Sequence, residues 1–286
     1  MLLEGAIVPL IALLLAAVPY AQFTSGVNLV EVYATVTDRQ GVAVTGLTAP
    51  DFQVSEDGSP QTITAFAAGE FPLAVAVGLD RSFSMGAGRG ARLDLAKSGA
   101  RTFIGALKPQ DQVMVVAIGS DTAIVAPLSA NHAAAIAAVD RLDAWGTTPL
   151  YDATVGALDA IQPAKGRRAL VLLSDGADRY SETSAAALVD EVRRRDVLVY
   201  PVAIGAARPS VFAELAAASG GRSFLVNDPR ELASTLTAIA RELRSQYLLG
   251  YAPSRAKGDR PTWHSIDVRV NRPAVVVRAR DGYFSW

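Results

Sequence analysis

Cysteine is absent from the 286 residues, which removes disulfides, thiolate metal sites and a cysteine nucleophile. The same absence excludes a lipoprotein anchor. Net charge is almost nil: 27 Lys and Arg face 28 Asp and Glu, with no basic block to attract nucleic acid. The two histidines, His132 and His264, lack partner spacing for zinc or for a catalytic triad and are expected as ordinary surface or half-buried residues. There is no Gly-x-Ser-x-Gly elbow and no Walker loop. Gly86-Ala87-Gly88-Arg89-Gly90-Ala91 reads as a dinucleotide fingerprint, but it stands too far past the preceding strand to turn tightly from it. A loop into a helix is the better account, and no nucleotide is expected.

Hydrophobic residues, by contrast, make up half of the chain, ample for a packed core. Ile7 to Val18 is apolar except for Pro9. It is too short for a comfortable membrane span and fits a secretory h-region cleaved after Ala21, although Glu4 stands where basic residues are usual. Export to the periplasm, the cell surface or the medium is therefore expected. In the next segment Val30, Val32, Ala34 and Val36 alternate with Glu31, Tyr33, Thr35 and Thr37, the period of a half-buried strand. From Leu73 onward, apolar strands alternate with helical patterns: Leu93, Ala96, Ala100, Phe103, Ile104 and Leu107 share one helix face. This rhythm predicts a Rossmann-like, doubly wound α/β fold with a mostly parallel sheet. After the last helix, Pro229–Arg244, the chain returns to strands.

The expected organisation is a signal peptide over 1–21, a β-rich flank over 22–70, the α/β unit over 71–245 and a second β-rich flank over 246–286. The flanks either pair into a small β-sandwich, with the α/β unit inserted, or stand as independent appendages; the simpler arrangement is the sandwich.

In open α/β sheets ligands sit beyond the carboxyl ends of the strands, where strand order reverses. Three polar segments fall there: Asp80-Arg81-Ser82-Phe83-Ser84, Gly146-Thr147-Thr148-Pro149-Leu150-Tyr151-Asp152 and Ser174-Asp175-Gly176. All three offer oxygen and none offers nitrogen or sulfur, the donor set of a hard cation such as Mg²⁺, with Mn²⁺ or Ca²⁺ as alternatives. Two carboxylates roughly neutralise such an ion, and neutral hydroxyls leave it able to attract another anionic oxygen. Helix capping is the bland account of a lone Asp-x-Ser-x-Ser, and three segments at three strand ends outweigh it. Asp152 suits a helix dipole, Asp121 and Asp178 read as solvated loop residues, and Arg193-Arg194-Arg195 reads as a solvated helix end.

These three motifs, in this order on these strands, resemble the von Willebrand factor type A domain and its metal-ion-dependent adhesion site. The resemblance implies Ser82 and Ser84 as direct ligands, Asp80 and Asp175 as ligands directly or through water, and Thr148 as the threonine of the ligand-engaged form. Thr147 and Phe83 depart from the family, since each stands where glycine is common. The flanks, "VTDRQGVAVTGLTAPDFQVSEDGSPQTITAF" and "ELRSQYLLGYAPS", resemble a VWFA-related (acidobacterial-type) subgroup of exported bacterial proteins. The implied function is non-enzymatic: metal-dependent protein binding in adhesion or assembly, with a partner's acidic side chain completing the coordination. A Mg²⁺-dependent hydrolase or phosphoryl-transfer enzyme is the alternative. It needs a general base beside the metal, and the nearby carboxylates are already committed to the ion. A scaffold with an empty site is a third reading. No sequence signal bears on oligomeric state.

Overall fold

The computed structural model describes residues 29–69, 71–86, 92–253 and 260–285. The expected signal peptide and most of the Gly86–Ala91 run lie outside them.

The α/β unit opens with β5 (Leu73–Asp80), which follows four strands of the N-terminal flank: β1 (Val30–Asp38), β2 (Phe52–Glu56), β3 (Ser59–Gln61) and β4 (Ile63–Ala68). Next come α1 (Phe83–Gly86), α2 (Arg92–Gly105), β6 (Gln112–Ile118), β7 (Thr122–Ser129), α3 (His132–Asp140) and α4 (Leu150–Ile161). The unit continues with β8 (Arg167–Ser174), α5 (Ala185–Arg194), β9 (Leu198–Ile204), α6 (Ser210–Ser219), β10 (Phe224–Val226) and α7 (Leu232–Glu242). Four strands close the described chain: β11 (Gln246–Tyr251), β12 (Thr262–Val270), β13 (Val275–Arg278) and β14 (Gly282–Ser285).

The central sheet runs β10-β9-β8-β5-β6-β7, parallel throughout except for β7, which returns antiparallel along β6. All eight residues of β5 are buried, because helices cover both faces of the sheet. Successive side chains of a strand point to opposite faces. Leu73, Val75, Val77 and Leu79 accordingly pack with Phe103, Ile104, Val139 and Leu236 of α2, α3 and α7. Ala74 and Ala76 pack instead with Leu158, Leu188 and Leu215 of α4, α5 and α6. From β5 the chain steps first to β6 on one side and later to β8 on the other. Strand order therefore reverses between β5 and β8, and the crevice of the doubly wound fold opens at their carboxyl ends.

Both flanks contribute to two four-stranded antiparallel sheets, β13-β1-β11-β4 and β14-β12-β2-β3. Val32, Val36 and Leu249 of the first sheet meet Phe52, Val54 and Ile266 of the second in a shared core. The flanks are thus interleaved in one β-sandwich and are not separate appendages. No helix among the described residues is long and apolar enough to cross a membrane.

Two expectations need correction. The Arg193–Arg195 run is not a solvated helix end. Arg193 pairs with Asp281 at 2.8 Å and stacks on Trp263, Arg194 stacks on Phe284, and Arg195 pairs with Asp159 at 2.6 Å and with Glu191. The helix dipole favours cations at this end, and the partners come from the sandwich for Arg193 and Arg194 and from α4 and α5 for Arg195. His264 is buried and partnered: its Nδ1 lies 2.8 Å from Asp57 Oδ2 and its Nε2 3.0 Å from Ser285 Oγ. Glu56 completes this cluster, its Oε2 accepting from the hydroxyls of Tyr251 and Tyr283. With these polar atoms engaged inside the sandwich, the cluster reads as a structural network.

Candidate metal centre

Asp80 is the last residue of β5 and Ser174 the last of β8, so the switch point places both at the mouth of the crevice. Asp80 is fully buried. Its Oδ1 accepts from the Ser82 amide at 2.9 Å, which folds the chain back and turns the following serines toward the crevice. Its Oδ2 accepts from the Ser174 hydroxyl at 2.6 Å, tying the two strand ends together. Ser82 Oγ and Ser84 Oγ lie 3.1 Å apart. Two oxygens bound side by side on an octahedral ion with bonds near ~2.1 Å stand ~3.0 Å apart, so this pair fits an ion the size of Mg²⁺.

The second segment is stitched to the first. The Phe83 amide donates to the Gly146 carbonyl at 3.0 Å, and the Trp145 amide donates to the Arg81 carbonyl at 2.6 Å. Gly146 sits at φ 81, and a Cβ there would collide with Ser120, so glycine is required on both counts. Thr147 is exposed, with its amide and hydroxyl directed to Ser120, whereas Thr148 is buried. The Thr148 carbonyl accepts from the Arg179 amide at 2.7 Å, which joins this loop to the third segment. In that segment Asp175 Oδ1 caps the Ala177 amide at 3.1 Å.

Electrostatics at the crevice are lopsided. Burial pushes the Asp80 carboxyl above the usual carboxylate range; hydrogen bonds from Ser174 and Ser82 pull it back, and the charge of Asp175 adds to the push. The one nearby cation paired with either carboxylate, among the described residues, is Arg92. Its Nη1 lies 3.5 Å from Asp175 Oδ2 and donates to the Ser84 carbonyl at 3.3 Å. A divalent ion bound among these oxygens would relieve the buried negative charge.

Neighbouring residues settle the smaller expectations. Asp152 accepts from the amides of Glu182 and Thr183, both at 2.9 Å, and so braces the loop after the third segment. Asp178 is not a solvated loop residue: it accepts from the Tyr151 amide at 3.1 Å and the Ser181 hydroxyl at 2.6 Å, holding the start of α4. Asp121 is exposed and pairs with Arg81 at 3.6 Å. Sequence reasoning did not single out Ser174 as Asp80's partner or Arg92 as Asp175's. Ser174 lay inside a quoted motif, while Arg92 had no local signal, being many residues from its carboxylate.

An open α/β sheet with an oxygen-lined crevice at its switch point defines the class. Residues 75–177, from β5 to just past β8, match the family model of the von Willebrand factor type A domain. Among solved structures the chain is similar to an aerotolerance-related membrane protein from Bacteroides fragilis, at 20% identity and a TM-score of 0.51, covering 60% of this chain and 98% of that one. It is similar to a von Willebrand factor type A protein from Catenulispora acidiphila, at 18% identity and a TM-score of 0.53, covering 79% and 71%. A third similar structure is proximal thread matrix protein 1 from the mussel byssus, solved with a zinc-occupied MIDAS motif, at 16% identity and a TM-score of 0.53, covering 66% and 49%. No curated protein matches the sequence. At these identities the structural likenesses speak for the fold.

Proposed function

We propose that this protein is a divalent-metal-dependent protein-binding module for adhesion or assembly, acting outside the cytoplasm. Asp80, Ser82, Ser84, Thr148 and Asp175 would hold the cation, Mg²⁺ being the best match and Mn²⁺ or Ca²⁺ also suited to oxygen ligands. When bound, the ion supplies a centre of positive charge to which a partner's carboxylate is drawn. The protein's own part is to fix two hydroxyls side by side, to keep two carboxylates at the crevice mouth, and to leave that mouth open. The segment 71–245 would carry the binding function, and the sandwich built from 22–70 and 246–286 would present it.

One observation carries the reading most: a fully buried, proton-favouring Asp80 stands beside a hydroxyl pair 3.1 Å apart at the topological switch point. The mussel protein with its zinc-occupied MIDAS motif supports it by likeness of fold. Von Willebrand factor type A domains serve generally as interaction modules, which favours binding over catalysis. The test is calorimetric titration of Mg²⁺ and Mn²⁺ into wild type and Asp80→Ala, followed by capture of partners from the exported fraction with and without EDTA. Single-site binding lost in the variant, with capture that EDTA abolishes, is expected. Equal metal affinity in both proteins would refute the assignment.

A further inference from the structure

Three large aromatic side chains are exposed on or close to the site segments: Phe83, 63% exposed, Trp145, 43%, and Tyr180, 79%. Among the described residues, these are the aromatic side chains left largely exposed; the other large exposed hydrophobics are aliphatic. Their distribution is not scattered. Phe83 lies between Ser82 and Ser84, Trp145 directly precedes Gly146, and Tyr180 follows Arg179, whose amide holds Thr148. Phe83 thus lies inside the first segment, Trp145 borders the second, and Tyr180 follows the residue that ties the loop after the third segment back to the second.

Two of the three are fixed in place. Trp145 is gripped through its amide by the Arg81 carbonyl, lies under the Arg81 guanidinium at 4.9 Å, and abuts Gly119. Phe83 begins α1 with its amide bonded to Gly146. Rigid aromatics lose little conformational freedom on binding, and such residues dominate binding energy where they flank a polar contact.

We propose that Phe83, Trp145 and Tyr180 form an aromatic collar around the crevice, and that its occupant is a polypeptide segment carrying an Asp or Glu with a bulky apolar residue next to it or one position removed. This inference rests on the metal-binding reading above and adds to it what the partner must present besides its carboxylate. The acid would meet the cation at the centre, and the apolar side chain would lie on the collar. Metal coordination alone would select any exposed acid; the collar would select among them.

The test pans a random displayed peptide library on the full chain in millimolar Mg²⁺, elutes with EDTA, and repeats the selection on a Phe83→Ser/Trp145→Ser/Tyr180→Ser variant. Metal titration by thermal shift on both proteins confirms that the variant folds and still responds to Mg²⁺. The expected wild-type eluate is acidic peptides enriched in aromatic or branched aliphatic residues within two positions of the acid. Each such peptide should lose about tenfold or more in affinity for the variant. Acidic peptides without that enrichment would overturn the collar and leave the metal reading intact. Apolar peptides without an acid, bound equally in EDTA, would overturn the metal reading. No recoverable peptide, with phosphatidylglycerol vesicles bound by wild type and not by the variant, would overturn the peptide occupant in favour of a lipid surface.

Discussion

The two ends of the α/β unit treat buried charge in opposite ways. At the end facing the sandwich, buried acids come paired with arginines, although the buried Arg167 keeps Nε and Nη2 without a hydrogen bond. Asp111, fully buried, is ion-paired with Arg244; Glu242 pairs with Arg278 at 2.6 Å and accepts from Tyr200; Arg167 bonds Gln246 at 3.0 Å and lies against the rings of Tyr33 and Phe71. At the crevice, Asp175 has one half-exposed arginine at 3.5 Å, Asp80 is held by the Ser174 hydroxyl and the Ser82 amide, and aromatics face solvent. The Glu242–Arg278 pair joins α7, and the Arg167–Gln246 bond joins β8 of the central sheet, to strands of the sandwich. Charge left uncompensated at the other end costs stability in the metal-free protein, and a cation would recover it. On the proposed function, the contrast separates groups that hold the fold from groups held ready for a ligand.

The largest effect should come from breaking the compensated end. Arg244→Ala takes the ion-pair partner from the buried Asp111 carboxylate, leaving it the Lys108 amide at 2.7 Å, and should destabilise the protein by about 3 kcal/mol, read by denaturant unfolding. Loss below about 1 kcal/mol would show that this end is no better neutralised than the other. Next in size is the stabilisation of wild type by metal. Mg²⁺ or Mn²⁺ at a hundred times its dissociation constant should add about 2.7 kcal/mol, seen as a rise in melting temperature that EDTA reverses.

A smaller change of the opposite sense should follow from Asp80→Asn. Because burial raises the Asp80 pKa, its stabilising contribution is present in full below the unfolded-state value and is lost as pH rises through the folded value. Without metal at neutral pH, the variant should therefore be more stable than wild type by about 1 kcal/mol, with the gap closing as pH falls toward ~4. It should also lose the response to metal. A variant less stable than wild type across that range would mean that Asp80 is a structural acid. The smallest effect belongs to Arg92→Ala. Removing a half-exposed cation from Asp175 should tighten metal binding by no more than about 1 kcal/mol, less so at high salt; weaker binding would make Arg92 part of the site's support.

Much of this was legible in the sequence, because its signals are local. Alternation over Val30–Val36 and the apolar run of β5 mark strands by period and burial, and short motifs at strand ends mark the crevice. The residues Asp80, Ser82 and Ser84 stand together by spacing alone, since a carboxylate capping the amide two residues on needs no tertiary partner. What escaped depends on encounters across the chain. His264 meets Asp57 over 207 positions, and Arg193 meets Asp281 over 88. Nothing near Arg193 in sequence distinguishes an arginine bound by a sandwich strand from one bathed in water. The exposure of Trp145 and Tyr180 likewise has no local mark in the sequence, because it depends on where the loops carrying them end.

The most direct test is diffraction from crystals grown with Mn²⁺, collected where manganese scatters anomalously. The account requires one strong anomalous peak at the carboxyl ends of β5 and β8, within bonding distance of Ser82 Oγ and Ser84 Oγ. A peak instead at Glu56, Asp57 and His264 in the sandwich, or none at the crevice when calorimetry shows a bound ion, would contradict it.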